Sequence, residues 1–202
     1  FVLSLLWPLP GAAPAAGGTL SFEGTPALDG RPPVEAAEVA FAPGKEGQGV
    51  ALKRGSRLAY DPSALDRDEL AVEFWVKPAR SLRDDFYREV AYLYHETPDG
   101  KNRISFVKRS ATSYFVFSLG NAQGGGKGES FAGNWLAMKT PPLDWAAGTW
   151  HHVSLAASKK AGRARIVIDG RLCAEAKGSQ FLERWGERLW LGSRMGASPF
   201  DG

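Results

Sequence analysis

From Leu20 onward, apolar and polar residues alternate in short runs with a period of two, and no window of a dozen residues carries a helical stripe with caps. Successive side chains of an extended segment point to opposite faces, so this pattern predicts an all-β chain. Strands are expected over residues 19–23, 36–41, 49–53, 57–60, 70–77, 88–95, 103–108, 113–119, 135–139, 149–156, 163–169, 171–176 and 188–192. Turn signals such as Pro98-Asp99-Gly100, Pro141-Pro142 and Gly178-Ser179 separate them. Short strands at this spacing suit a two-sheet antiparallel β-sandwich.

The clearest local element is RIVIDGRLCAEA, Arg165 to Ala176, where two strand-like runs flank Asp169-Gly170. That dipeptide accepts the positive φ values of a type I′ turn, so a tight hairpin is expected. Strict alternation would place Ile166 with Ile168 on one face, Arg165 with Val167 on the other, and Leu172 with Ala174 together on the return strand. In LAVEFWVKP the apolar face is Val72, Phe74 and Val76, opposed by Ala71, Glu73, Trp75 and Lys77. The glycine-rich tract 120–133 reads as a loop, because strand patterns resume at Trp135. One domain is expected over residues 19–202.

The first sixteen residues, FVLSLLWPLPGAAPAA, carry no charge and pass from an apolar block into small residues and prolines. Residues 1–16 therefore read as the remainder of a secretory signal peptide, with Ala13-Pro14-Ala15 nearest to a cleavage signal. A secreted or bacterial cell-envelope location follows from that reading. The lone Cys173 excludes an internal disulfide and any cysteine-based zinc or redox site. No stretch approaches the roughly 20 apolar residues of a membrane-crossing helix. Lys and Arg exceed Asp and Glu by 25 to 22, a scattered +3 that gives no nucleic-acid footprint.

Candidate chemistry is mostly excluded by spacing. GNAQGGGKG lacks the first Gly and the final Ser or Thr of a phosphate loop, and no helix follows it. His151 and His152 are neighbours in a predicted strand and cannot converge on one metal ion. There is no G-x-S-x-G elbow, and Asp66, Asp68, Glu69 and Glu73 do not supply two alternate acids along one strand. This segment is not expected to be an enzyme.

Five pieces, GKEGQGVALKRGSRLAY, LAVEFWVKP, AGTWHHVSLAAS, ARIVIDGRLCAEA and RLWLGSRMGASPFDG, together resemble the concanavalin A-like lectin/glucanase superfamily. Their order is similar to that of the laminin-G-like jelly-roll module of bacterial secreted proteins. The resemblance implies two antiparallel sheets and makes Trp150 and the following His framework positions. Trp75, Trp150 and Trp190 are read as core. It also implies a closing strand that this chain, ending at Phe200-Asp201-Gly202, does not contain. Glu23 and Asp201 match loop regions where some relatives hold a structural calcium ion.

Two functions fit. One is a carbohydrate-binding module, in which exposed aromatic rings stack on sugars and planar polar groups bind vicinal hydroxyls. Trp135 and Asn134 at the end of the glycine-rich loop, Asn121 at its start and Trp185 in a later connection are the candidates. Trp145, close to Trp150, is read as framework. The other is a structural or protein-interaction spacer packed on a neighbouring domain of the same polypeptide. Because the closing strand is missing, residues 19–202 expressed alone are expected to aggregate or melt broadly. A sharp, reversible two-state melt of that segment would contradict this.

Overall fold

A computed structural model describes residues 3–4, 19–21, 24–28, 31–84, 89–121, 135–178 and 180–194. The first strands are β1 Leu3–Ser4, β2 Thr19–Ser21, β3 Ala27–Leu28, β4 Glu35–Ala37, β5 Ala40–Pro43, β6 Gln48–Ala51 and β7 Arg57–Tyr60. They are followed by β8 Glu69–Val76, β9 Val90–Glu96, β10 Asn102–Lys108, β11 Phe115–Asn121 and β12 Trp135–Lys139. The last are β13 His151–Ser158, β14 Arg163–Ile168, β15 Arg171–Lys177 and β16 Leu189–Leu191. The first sheet runs β15-β14-β13-β8-β1-β2-β3, the second β12-β11-β10-β9-β16-β7-β4, and β5 and β6 form a separate hairpin. The expected all-β sandwich is therefore present.

Alternation decides which faces meet. Along β8, Leu70, Val72, Phe74 and Val76 are buried while the residues between them are half-buried. Val153 and Leu155 of β13 and Ile166 and Ile168 of β14 extend the same apolar layer. The second sheet answers with Ile104 and Phe106 of β10 and Phe115, Phe117 and Leu119 of β11. Phe74 and Phe106 meet edge to face across the gap, with ring centroids 6.2 Å apart. Phe106 stacks on Phe115 at 5.0 Å, and Trp145 tilts against Phe115 at 4.8 Å. Full burial of each large apolar side chain stabilises by about 1.5–3 kcal/mol.

The Asp169-Gly170 turn forms as expected, with φ of 50° and 75°. Its carboxylate also holds the start of β13. Oδ1 accepts the His152 N–H at 2.8 Å, and Oδ2 lies 2.8 Å from His151 Nδ1. The His151 ring in turn stacks flat on Trp145 at 4.2 Å.

Other expectations need correction. The single strand over 36–41 is two, β4 and β5, because Glu38 between them takes a φ of 51°. Ser56 Oγ donates to the Glu38 carbonyl at 2.6 Å, fixing that kink. Leu172 and Ala174 do not share a face. Ile166 pairs with Ala174 but Val167 with Leu172, so Cys173 is an extra residue in a β-bulge. Cys173 and Ala174 both pack on the core, and Leu172 is turned out at 59% exposure. Trp75 and Trp150 do not fill the space between the sheets. Trp75 lies on the outward face of β8, with Lys45 Nζ 5.0 Å from its ring, and half-buried Trp150 carries Lys77 Nζ at the same distance. Among the described residues Trp145 is buried in the main core and Trp185 packs against it.

The pairing also adds strands that the pattern missed. Leu3–Ser4, inside the segment read as a leader, lie between β8 and β2, with Leu3 opposite Phe74 and Leu20. β3 pairs with β2. The rest of residues 1–16 and the end at Phe200 to Gly202 lie outside the described residues.

The bulge has a direct test in urea unfolding. Ala174→Asp, a charge placed against the core, is expected to lower stability by about 2–3 kcal/mol, and Leu172→Asp to change it by less than about 0.5 kcal/mol. The reverse order would contradict the observed register.

Candidate functional site on the outer face of the second sheet

With Ile104 and Phe106 turned to the core, β10 must present Arg103, Ser105 and Val107 on the other side. A second bulge sets the parity of β9. Phe106 pairs with Leu93 and Val107 with Ala91, so Tyr92 is extra, and both Tyr92 and Leu93 face inward. Tyr94 and Glu96 are thereby turned out.

Strand register then lines these side chains into ranks. One rank is Glu96, Arg103, Gly120 and Trp135, across β9 to β12. The next crosses the whole sheet as Glu35, Ala59, Trp190, Tyr94, Ser105, Ser118 and Ala137. A third is Ala91, Val107, Val116 and Lys139. Trp190 is buried as expected, in a small core cluster with Ala59 and Tyr94 on this face, separate from the main one.

The face carries three arginine–aromatic pairs. Arg103 lies over Trp135 at 5.1 Å, Arg194 over Tyr94 at 5.1 Å and Arg188 over Trp190 at 5.9 Å. Arg103 Nε donates to Glu96 Oε1 at 3.0 Å, and the Tyr94 hydroxyl donates to Glu96 Oε2 at 2.5 Å. Burial, and then that hydrogen bond, push the Tyr94 phenol above its ordinary pKa, so it stays a donor. Ser105 and Ser118 join their hydroxyls at 2.7 Å. Around the rim, Glu35 sits 2.8 Å from Arg57 and 3.8 Å from Arg188, and Glu89 sits 3.0 Å from Arg109 and 3.5 Å from Arg194.

The residues singled out in the sequence divide between two places. Trp135 is on this face, half-buried under Arg103. Asn121 and Trp185 instead secure the segment 181–188. Asn121 Nδ2 donates to Glu183 at 2.5 Å, and Trp185 Nε1 donates to the Leu65 carbonyl at 2.9 Å while its ring packs on the core. Asn102 Oδ1 accepts from the Glu183 and Arg184 N–H groups at 2.8 and 3.3 Å. Asn134, Glu23 and Asp201 lie outside the described residues. Among the described residues no group of three or more His, Cys, Asp or Glu is arranged to hold a metal ion. The acids near β8 are engaged elsewhere: Asp66 Oδ1 accepts the Asp68 N–H at 2.8 Å, and Glu69 accepts from Ser158 at 2.9 Å.

Sequence reasoning missed Tyr94, Glu96, Arg103, Arg188, Trp190 and Arg194 as a group. Polar residues at every second position, such as Arg103-x-Ser105 and Ser118-x-Gly120, signalled an outward face. Which strands stand beside one another was not available from that pattern.

Comparison with known proteins gives a consistent fold. The family model Laminin_G_3, described as the Concanavalin A-like lectin/glucanases superfamily, matches residues 48–202. Domain 4 of AbnA, a GH43 extracellular arabinanase from Geobacillus stearothermophilus solved with arabinotriose, is similar at a TM-score of 0.61 and 18% identity. That match covers 83% of this chain and 72% of the other. The Ruminococcus gnavus IT-sialidase CBM40 bound to α2,3 sialyllactose matches at 0.52 and 13% identity, covering 84% and 88%. Mouse laminin α1 domains LG4-5 match at 0.53 and 14% identity, covering 80% of this chain and 37% of theirs. No curated protein matches. No helix among the described residues is long and apolar enough to cross a membrane.

A pH dependence follows from the inward neighbour of this face. His95 is fully buried, its Nδ1 is 2.8 Å from the Arg188 carbonyl, and its Nε2 accepts the Gly186 N–H at 3.1 Å. A carbonyl only accepts and a backbone N–H only donates, so the ring is the neutral Nδ1–H form. Burial pushes its pKa below the usual 6.5. Below about pH 6.5 the unfolded chain binds a proton that the folded chain refuses, so this contribution is complete above that pH and is lost as pH falls below it. Melting temperature is expected to drop from pH 7.5 to 5, and His95→Gln to flatten part of that slope. An unchanged slope in the variant would contradict the assignment.

Proposed function

For a chain that belongs to the concanavalin A-like lectin/glucanase superfamily, we propose the role of a non-catalytic carbohydrate-binding module of a larger secreted protein, with glycan taken on the outer face of the second sheet. The supporting observation is the shared register that sets Trp135, Arg103, Glu96, Ser105 and Ser118 side by side. A sugar offers an apolar C–H face and vicinal hydroxyls, which call for an aromatic ring face beside planar charged groups. Trp135, on the sheet's edge strand β12, is half-buried with Arg103 over its ring, so a sugar at this edge would meet the ring and the guanidinium together. The low-identity neighbours speak for the fold, and the sugars named with two of them agree with a glycan ligand.

The spacer reading requires a continuous apolar patch. Among the described residues the large exposed apolar side chains are Val34, Phe41 and Leu172. They lie beside β4, in β5 and in β15, which belong to three different sheets. That scatter favours the glycan reading.

Glycan-array screening followed by calorimetry tests it. The intact protein is expected to bind a glycan, and Trp135→Ala to weaken binding at least tenfold, about 1.4 kcal/mol, with no change in melting temperature. Absence of binding to any glycan would overturn the proposal.

A further inference from the structure

We propose that the glycan taken by this face is acidic, and that it is read by Arg188 and Arg194 held on the rings of Trp190 and Tyr94. The inference rests on the glycan-site reading above and adds the chemical class of the ligand. Three observations carry it.

The first concerns what a ligand would touch. Tyr94 and Trp190 are only 2% and 7% exposed, while the side chains lying over them, Arg194 and Arg188, are 40% and 48% exposed. The accessible surface above these two rings is guanidinium. A neutral pyranose seeking a bare aromatic plane would have to displace each cation from its ring, whereas a carboxylate or sulfate meets planar donors already in place.

The second concerns charge. Each rim carboxylate is shared between two arginines, Glu35 between Arg57 and Arg188 and Glu89 between Arg109 and Arg194. Glu96 answers Arg103, and Lys139 stands in the third rank. Among the described residues the face therefore carries more cations than anions.

The third concerns geometry. Arg57 and Arg109 make the short contacts to these carboxylates, at 2.8 and 3.0 Å, while Arg188 and Arg194 stand off at 3.8 and 3.5 Å. A guanidinium has five N–H donors in a fixed fork that fits carboxylate or sulfate bidentately. The longer pairs are partly exposed, contribute little to stability and can be exchanged for a ligand anion at small cost. The ring contacts hold each guanidinium over the face, Arg194 also hydrogen-bonding the Tyr94 side chain, and a five-donor fork keeps further donors for a ligand.

Affinity electrophoresis and calorimetry on the intact protein, with polygalacturonate, heparin and neutral linear arabinan at 50 and 300 mM NaCl, test this. Acidic polymers are expected to bind at least tenfold tighter than arabinan, with affinity falling as salt rises. Arg188→Gln with Arg194→Gln is expected to cost at least tenfold on the acidic polymers at unchanged melting temperature. Arg165→Gln, on the first sheet, is expected to leave binding as it was. Binding to polygalacturonate only identifies carboxylate recognition, binding to heparin only identifies sulfate recognition, and either supports the inference. Equal, salt-insensitive binding of neutral and acidic glycans would overturn it while leaving the glycan site standing. Loss of all glycan binding would remove both, and tighter binding of single-stranded RNA than of either acidic polymer would overturn the ligand class.

Discussion

Phe74 of β8 and Phe106 of β10 meet between the two sheets, and this contact joins one apolar layer to the other. Once those inner faces are committed, every neighbouring position on the same strands is committed outward, because a strand cannot turn one side chain without turning the next. The partners of Phe106 extend the constraint: Phe115 stacks on it, Tyr92 meets it edge on, and Trp145 closes the cluster. The outer face of the second sheet is what remains after this core has taken its share. Its large rings and hydroxyls are themselves packed, with Tyr94, Trp190, Ser105 and Ser118 each at most 7% exposed, and it is the arginines lying over Tyr94 and Trp190 that reach solvent.

Much of the architecture was legible along the chain. Period-two alternation predicted the strands of the core closely, and β7 and β12 fall on the expected residues. The Asp169-Gly170 hairpin was legible because so few dipeptides tolerate two consecutive positive φ values. The failures share a physical cause. At Tyr92 and Cys173 an extra residue enters the strand, and parity counted by twos is wrong beyond it. At Glu38 a positive φ in a residue other than glycine breaks one expected strand into two. Of the tryptophans assigned to the core, Trp190 is buried in a small cluster of its own, while Trp75 and Trp150 are half-buried, each beneath a lysine, outside it.

The site was legible only in fragments. Trp135 was singled out from its place beside a glycine-rich loop and lies on this face, whereas Asn121 ties the 181–188 segment to β11 and Trp185 ties it to Leu65 and His95. Arg103, Glu96, Ser105 and Ser118 come from three consecutive strands, β9, β10 and β11, and hydrogen-bond register sets them side by side. Arg188 and Arg194 flank β16, a three-residue strand inserted between β9 and β7. That insertion, a long-range pairing invisible to local pattern, places their guanidiniums above the sheet.

The central claim is that one surface, set by register and opposite the aromatic core, meets the ligand. Amide chemical-shift mapping of the labelled protein during titration with an oligogalacturonate reads this residue by residue. Perturbations should gather at Glu35, Ala59, Tyr94 to Glu96, Arg103 to Ser105, Ser118 to Gly120, Trp135 and Arg188 to Arg194. Perturbations gathered instead on β13, β14 and β15 of the first sheet, with those residues silent, would contradict the account.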